Sequence, residues 1–222
     1  MIYLFIHQNF PGQYKHLIRH LADDPANTVY FISQPNANWM QGIVKLVYYP
    51  DLASPLQCHP YTVDFELAIR HGTAVASALR MLRDQGVIPD VIVGHSGWGE
   101  TLFVKDVYPE VPLLAYFEFF YRHEGVDVDF DPEFPPSPDD SARLRVRNAV
   151  NLLSFQSADW GNAPTRWQQS LYPEEMRARI SVIHEGIDTE AIRPDTDAWL
   201  QLDRDNLDLT RKDEIITYVA RN

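Results

Sequence analysis

Short apolar segments alternate along the chain with longer stretches in which apolar residues recur every three or four positions. The short segments are typical of strands buried in a parallel sheet, and the longer stretches are typical of amphipathic helices. Strands are predicted at residues 2–7, 28–33, 43–49, 90–94, 111–117, 158–163 and 180–184, and helices at about 62–86, 98–108 and 141–156, with two more beginning at Pro11 and Pro164. The alternation predicts an α/β fold: a doubly wound parallel sheet of about seven strands, Rossmann-like, with helices on both faces.

The segments that follow the predicted strands are the candidates for function. In a doubly wound sheet, ligands bind outside the carboxyl ends of the strands, where the strand order reverses. Four of these ends, residues 7–13, 95–100, 118–123 and 184–188, carry histidine, glutamate, glycine and aromatic residues. That composition suits a polar, ring-shaped ligand better than it suits solvent.

The charge of the chain narrows the class of partner. Its 222 residues include 19 Lys and Arg against 31 Asp and Glu, which gives a formal charge of −12 and a pI near 5.0. This balance disfavours nucleic-acid binding and unassisted docking to an anionic membrane, because both need a basic surface. The single cysteine, Cys58, excludes an internal disulfide and Cys-based zinc sites. No apolar run approaches the ~20 residues that cross a bilayer and no signal peptide is recognisable, so the protein is expected to be cytoplasmic.

Three glycines distinguish residues 94–99, which follow the fourth predicted strand. Glycine lets the backbone approach a ligand closely, so one interpretation places His95 against a bound hydroxyl, with Gly97 and Gly99 lining the pocket. A tight strand-to-helix turn without a ligand would use the same glycines. Both interpretations stay open at this point.

The same segment nearly fits the Gly-x-Ser-x-Gly nucleophile elbow of serine hydrolases. Ser96 would be the nucleophile, and Asp159 and His184 would complete a triad in the usual chain order. Trp98, however, occupies the position where the elbow requires glycine. A serine hydrolase is therefore an alternative function, and a stand-alone, non-catalytic binding module is another.

Three other features each have a functional and a structural interpretation. Gly12 opens a helix after the first strand, where backbone N–H groups favour an anion such as phosphate, but a plain Pro-Gly turn is equally compatible. The acidic residues 124–140 are expected to form a solvated loop rather than a metal site, or a lid that orders over substrate. The four aromatic residues within 117–121 either pack in the core or bring Tyr121 and Arg122 to the cleft.

Five short segments together resemble the N-terminal half of family 4 glycosyltransferases, in the family's order and over essentially the whole chain. They are residues 7–13, 89–95, 163–168, 184–189 and 218–222. Residues 184–189 are similar to the family's x-Asn-Gly-Val-Asp segment, with Glu185 where asparagine is more common. Residues 7–13 are similar to the variant loop of one branch of the family.

The resemblance implies one half of a GT-B fold, in which two Rossmann-like domains face each other across a cleft. Residues 1–194 would form the acceptor-side domain, residues 195–213 an acidic, irregular linker, and residues 214–222 the first strand of a C-terminal donor-binding domain that is missing here. The full-length protein would be a bacterial hexosyltransferase of polysaccharide or glycolipid assembly. This half alone would be inactive.

The activity that the resemblance implies is retaining, metal-independent transfer of a sugar from a nucleotide-sugar to a saccharide or lipid-linked acceptor. The nucleotide-sugar is a co-substrate bound through the missing domain, so no cofactor and no metal is expected. The resemblance leaves room for peripheral association of the full-length enzyme with the inner face of the membrane. By motif position, His95 would be catalytic and would contact the reacting sugar. The substrate-binding residues would be Gly12, Gln13, Ser96, Gly97, Trp98, Glu118, Tyr121, Arg122, Glu185 and Gly186.

Overall fold

The computed structural model of the chain describes residues 1–126 and 128–216. The chain divides into two compact units, Met1–Glu185 and Gly186–Asn222. The first unit contains a parallel sheet with its helices, and the second contains a small hairpin.

The first unit alternates strands and helices as its apolar pattern predicts. Its strands are β1 (Ile2–Ile6), β2 (Thr28–Ser33), β3 (Ile43–Val47), β4 (Val91–His95), β5 (Leu113–Tyr116), β6 (Trp160–Ala163) and β7 (Ile180–Val182). Its α-helices are α1 (Lys15–Ala22), α2 (Val63–Asp84), α3 (Val104–Val107), α4 (Asp140–Arg147), α5 (Ala149–Ser157), α6 (Arg166–Leu171) and α7 (Glu174–Arg177). Single 3-10 turns at Gly12–Tyr14 and Pro60–Thr62 lead into α1 and α2.

The seven strands form one sheet in the order β3-β2-β1-β4-β5-β6-β7, and every pairing is parallel. The predicted α/β fold with a doubly wound parallel sheet is therefore confirmed. The chain adds strands on one side of β1 and then on the other, so the order reverses between β1 and β4. That reversal places the crevice for a ligand at the carboxyl ends of these two strands.

Both faces of the sheet are buried, which explains why the strands are almost continuously apolar. Along β1, Leu4 and Ile6 pack into a cluster that includes Leu79 of α2. Phe5, between them, points to the opposite face and packs in a cluster with Ile18 of α1. All five side chains are fully buried, and each such burial stabilises the fold by roughly 1.5–3 kcal/mol.

Two predicted helices differ from the observed ones for identifiable reasons. The helix predicted at 98–108 is helical only at Val104–Val107, because the preceding turn contains Gly99 with φ +94°. The helix predicted at 141–156 is divided into α4 and α5 at Asn148. The Asn148 amide holds the backbone of Tyr121, accepting its N–H at 2.9 Å and donating to its carbonyl at 2.8 Å.

The second unit contains an antiparallel hairpin of β8 (Trp199–Leu202) and β9 (Leu207–Thr210). The prediction of irregular chain at residues 195–213 is therefore wrong. Apolar and polar residues alternate along β9, whereas β8 is apolar except at Gln201. Asn206 supports the turn between the two strands with φ +47°. Of the strand predicted at 214–222, residues 214–216 have no regular structure and residues 217–222 lie outside the described part. The assignment of residues 195–213 to a linker and of residues 214–222 to a further domain stays a prediction.

Candidate functional site

Two buried histidines lie side by side where the strand order reverses. His95 ends β4, and His7 follows β1, which pairs with β4 through Ile6 and Gly94. Each residue is 1% exposed, and the ring centroids are 5.0 Å apart at 83°. Gly12 lies against the same His7 ring, because a Cβ at this position would be 2.9 Å from the imidazole. His95 and Gly12 therefore contact the same imidazole at one edge of the sheet.

Hydrogen bonds fix the proton of His95. The Gly97 N–H donates to His95 Nδ1 at 3.1 Å, so the ring proton lies on Nε2. His95 Nε2 then donates to Glu118 Oε2 at 3.0 Å. The Glu118 side chain is 36% exposed and the His95 side chain 2% exposed. A ligand entering this crevice therefore meets the Glu118 carboxylate first, with the imidazole proton behind it.

Tyr116 connects this pair to the end of β7. It ends β5, its ring centroid lies 5.2 Å from that of His95, and its hydroxyl donates to the Glu185 carboxylate. Burial, followed by the hydrogen bond to Glu185, raises the pKa of Tyr116 well above its usual value. The phenol therefore stays protonated and remains a hydrogen-bond donor. We refer to His7, His95, Tyr116, Glu118 and Glu185 as the switch-point cluster.

A cleft adjoins the switch-point cluster, between α2, the loop after β4 and the helices α4 and α5. It encloses about 130 Å³ and is lined by Asp64, Leu67, Ala68, His71, Gly97, Trp98, Tyr121, Arg147, Val150 and Asn151. Trp98 stacks on His95, with centroids 6.4 Å apart at 20°, and so forms the boundary between cleft and cluster. We call this hollow the α2 cleft.

The predicted site residues do not all lie in these two places. Gly97, Trp98 and Tyr121 line the α2 cleft, whereas Arg122 turns toward α6 and donates from Nε to the Leu171 carbonyl at 2.7 Å. Gln13, next to Gly12, has a buried side-chain oxygen with no protein partner in the described region. Gly186 opens the second unit. The substrate contacts predicted for these residues stay predictions.

Gly99 serves packing rather than the pocket surface. With φ +94°, it lies against α2, and a Cβ at this position would be 2.3 Å from the Ala68 carbonyl oxygen. The interpretation of Gly99 as a pocket residue is therefore corrected. This glycine lets the loop after β4 lie directly on the helix backbone.

Ser96 does not form the triad considered from the sequence. It is fully buried and donates its hydroxyl to the Tyr116 carbonyl at 2.8 Å. Asp159 accepts the N–H of Leu113 at 2.8 Å, at the start of β5, whereas Ser96 follows the end of the adjacent β4. Ser96 and Asp159 thus lie at opposite ends of the parallel strands, and the hydrolase interpretation of Ser96 is wrong.

We expect a fluorophosphonate probe to leave the wild-type chain unlabelled, because the Ser96 hydroxyl is buried and its proton is donated to the Tyr116 carbonyl. Ser96→Ala should lower the free energy of unfolding by about 1 kcal/mol through the lost hydrogen bond. Gel-based labelling and urea denaturation measure the two effects. If the wild type is labelled and Ser96→Ala is not, the hydrolase interpretation of Ser96 would be correct after all.

The sequence does not single out the polar network beneath the α2 cleft. The Glu100 side chain is fully buried, and Oε1 accepts the Tyr48 hydroxyl at 2.9 Å. The same hydroxyl oxygen lies 3.1 Å from His71 Nδ1. Burial raises the pKa of the Glu100 carboxyl from 4.5 to about 6.

Glu100 should make stability depend on pH in a defined direction. Below pH 4.5 both folded and unfolded chains carry the protonated acid. As the pH rises through 6 the folded chain must hold a buried carboxylate, and up to about 2 kcal/mol of stability is lost. Urea denaturation at pH 4.5 and 7.5 measures this effect. The free energy of unfolding of Glu100→Gln, relative to that of the wild type, should be higher at pH 7.5 than at pH 4.5 by that amount. The control Glu175→Gln, at an exposed position, should show no such change with pH. An equal difference in free energy of unfolding between Glu100→Gln and the wild type at both pH values would contradict the raised pKa of Glu100.

Within residues 1–126 and 128–216, no three His, Cys, Asp or Glu side chains converge as a metal site would require. The acidic loop places Asp129 in the left-handed region with φ 60°, and Asp131 accepts the N–H of Glu133 at 2.9 Å. Asp127 lies outside the described residues. In the same part of the chain no helix has the length and apolarity to span a bilayer.

The chain is similar in sequence to one family profile and in fold to several solved structures. A family profile described as "Glycosyl transferase family 4 group" matches residues 25–192, more than half of the chain. No curated protein matches. Among solved structures, the chain is similar to a UDP-glucosyltransferase from Polygonum tinctorium, with TM-score 0.54 and 11% identity over 82% of this chain and 51% of that one.

A second similar structure is a putative UDP-N-acetylglucosamine 2-epimerase from Listeria monocytogenes, with TM-score 0.48 and 15% identity over 81% of this chain and 44% of that one. The chain thus spans about half the length of the two proteins. At such identities, the likeness to the glucosyltransferase concerns the fold alone.

Proposed function

This chain belongs to the glycosyl transferase family 4 group, and on that premise we propose that it is the acceptor-binding half of a glycosyltransferase. The full-length enzyme would move a hexose from a nucleotide-sugar to a saccharide or lipid-linked acceptor, with retention of anomeric configuration and without a metal. The nucleotide-sugar would bind mainly to a second domain, so this half alone would be inactive. Polysaccharide or glycolipid assembly in a bacterial cytoplasm, at the inner membrane face, is part of the same proposal.

The observation that carries the proposal is the switch-point cluster. Parallel sheets of this kind bind ligands where their strand order reverses, and here the reversal holds His95 in contact with both His7 and Glu118. The Nε2–H of His95 is a hydrogen-bond donor, and the Glu118 carboxylate is an acceptor. Because that proton is already donated to Glu118, the group offered to a sugar hydroxyl is the carboxylate, whose side chain is 36% exposed and which can accept further hydrogen bonds.

The residues of this half would contribute positioning and charge stabilisation. Transfer of a glycosyl group develops positive charge at the anomeric carbon, and a nearby carboxylate stabilises that charge. Glu118 supplies a carboxylate, and His95 holds it in place through the 3.0 Å hydrogen bond. Holding the acceptor hydroxyl close to the anomeric carbon would supply the remainder of the rate enhancement.

A transfer assay with the full-length protein tests the proposal. A panel of UDP- and GDP-hexoses is offered with saccharide and lipid-linked acceptors, and products are analysed by NMR. We expect one donor to give a product that retains its anomeric configuration, with the same rate in EDTA. Absence of transfer from every donor would overturn the function. An inverted product or loss of activity in EDTA would overturn the retaining or the metal-independent part.

A further inference from the structure

We propose that the α2 cleft binds one sugar ring of the acceptor, and that His71 positions this ring by accepting a hydrogen bond from a sugar hydroxyl. This inference rests on the proposed function, because it takes the ligand to be a saccharide. It assigns a residue outside the switch-point cluster, on α2, that neither the motif pattern nor the family resemblance indicates. The positions of the protons in the network beneath the cleft decide which nitrogen of His71 can accept a hydrogen bond.

The network determines which nitrogen of His71 faces a ligand. The Tyr48 hydroxyl has one proton and donates it to Glu100 Oε1 at 2.9 Å. His71 Nδ1, at 3.1 Å from the same hydroxyl oxygen, must therefore be the donor in that contact. The Gln34 amide nitrogen is 3.5 Å from Nδ1, at the limit of hydrogen-bond distance, and so makes the weaker contact. With its proton on Nδ1, His71 keeps Nε2 as an acceptor.

Two further observations support this arrangement near neutral pH. The carboxyl of Glu100, with its pKa at about 6, is mostly ionised at pH 7 to 8 and so accepts from Tyr48. Burial lowers the pKa of His71, which favours the neutral ring with one acceptor nitrogen. In the described region, Nε2 of His71 has no protein partner, and His71 lines the cleft.

The walls of the α2 cleft have the composition of a saccharide site. Trp98 is 37% exposed and, with Tyr121, offers an aromatic surface to the apolar face of a sugar ring. Asp64 and Arg147 also line the cleft and form a 3.1 Å ion pair, and the Arg147 guanidinium lies 4.0 Å from the Tyr121 ring centroid. These groups provide both donors and acceptors for ring hydroxyls. Because Trp98 also stacks on His95, a ring in the cleft would lie next to the switch-point cluster.

The first test observes the proton directly. In the 222-residue chain with 15N-labelled histidine, NMR at pH 7.5 should show His71 protonated on Nδ1. Tyr48→Phe should remove that preference, because the ring loses its acceptor. Titration with methyl α- and β-D-hexopyranosides should shift the His71 Nε2 signal for at least one glycoside. A ring protonated on Nε2, or no glycoside shift, would overturn the inference.

A matched pair of variants separates the two nitrogens. His71→Asn keeps an amide where Nδ1 stands and can still donate to Tyr48, but it has nothing in place of Nε2. His71→Gln reaches further and can present its carbonyl oxygen to the cleft. We expect glycoside affinity to fall about tenfold in His71→Asn, which corresponds to about 1.4 kcal/mol, and to fall less in His71→Gln. Equal affinity of His71→Asn and wild type would overturn the inference.

Kinetics of the full-length enzyme distinguish failure of the subsite from failure of the function. His71→Asn should raise KM for the acceptor about tenfold and leave KM for the donor unchanged. Active wild type with an unchanged acceptor KM in His71→Asn would remove the subsite and leave the proposed function intact. Wild type that transfers no sugar, yet shows the glycoside shift at His71, would remove the function and support the subsite.

Discussion

Replacing His95 with alanine is expected to lower kcat of the full-length enzyme by roughly 10²–10³-fold, the order of magnitude found when one preorganised hydrogen bond of an active site is removed. His95 is buried, stacks on Trp98 and donates from Nε2 to Glu118. Alanine removes this hydrogen bond, and with it the contact through which His95 holds the Glu118 carboxylate. Because the donor nucleotide would bind to the other domain, KM for the nucleotide-sugar should change by less than about threefold.

Two further variants make the His95 result specific. His95→Gln can still direct an amide N–H toward Glu118 and should keep more activity than His95→Ala. His20→Ala, on the exposed surface of α1, should have wild-type kinetics. Steady-state kinetics with the donor found in the panel measures all three. Wild-type kcat in His95→Ala would remove His95 from the site.

Gly99→Ala is expected to have the largest effect on stability, about 2–5 kcal/mol, from a strained backbone together with overpacking. The new methyl group would lie 2.3 Å from the Ala68 carbonyl oxygen, which belongs to the backbone of α2 and cannot rotate away. The loop after β4 would have to lift from the helix, and it carries Gly97 and Trp98 of the α2 cleft with it. Urea denaturation of wild type and variant measures the loss.

Gly86→Ala is the matched control for this prediction. Gly86 also has a positive φ, +81°, but a Cβ there would have no neighbour within 4 Å. Only the backbone strain of about 1–2 kcal/mol should remain. The difference between the two variants then measures the close contact of Gly99 with α2. Equal losses in both would mean that the loop does not press on the helix as described.

The fold was accessible from the sequence because burial on both faces of a parallel sheet leaves a simple pattern. Strands such as β1 and β2 are apolar at nearly every position, and each is followed by polar or glycine residues. The errors have local causes. The turn at Gly99 depends on contact with α2 rather than on helix propensity. The β8–β9 hairpin lies in an acidic segment, and its strands of four residues each are too short to give a clear periodicity.

The site was only partly accessible. His95, Gly97 and Trp98 stand together after one strand, so their position in the chain indicates their position in the fold. The network of Tyr48, His71 and Glu100 is different. His71 and Glu100 lie 23 and 52 residues after Tyr48 in the chain, so the three residues meet only in the folded state. A lone histidine on a long helix has the pattern of a surface residue. Its contact with a buried acid cannot be predicted from periodicity.

The most direct measurement compares the 222-residue chain with the full-length protein proposed above, using the same nucleotide-sugars and acceptors. Calorimetric titration records binding, and product analysis records transfer. We expect the full-length protein to bind one nucleotide-sugar and transfer its hexose, and the 222-residue chain to bind the acceptor saccharide while neither binding the nucleotide-sugar nor transferring its hexose. Sugar transfer by the 222-residue chain alone, or a full-length protein that transfers no sugar, would contradict the assignment of this chain as the acceptor half of a glycosyltransferase.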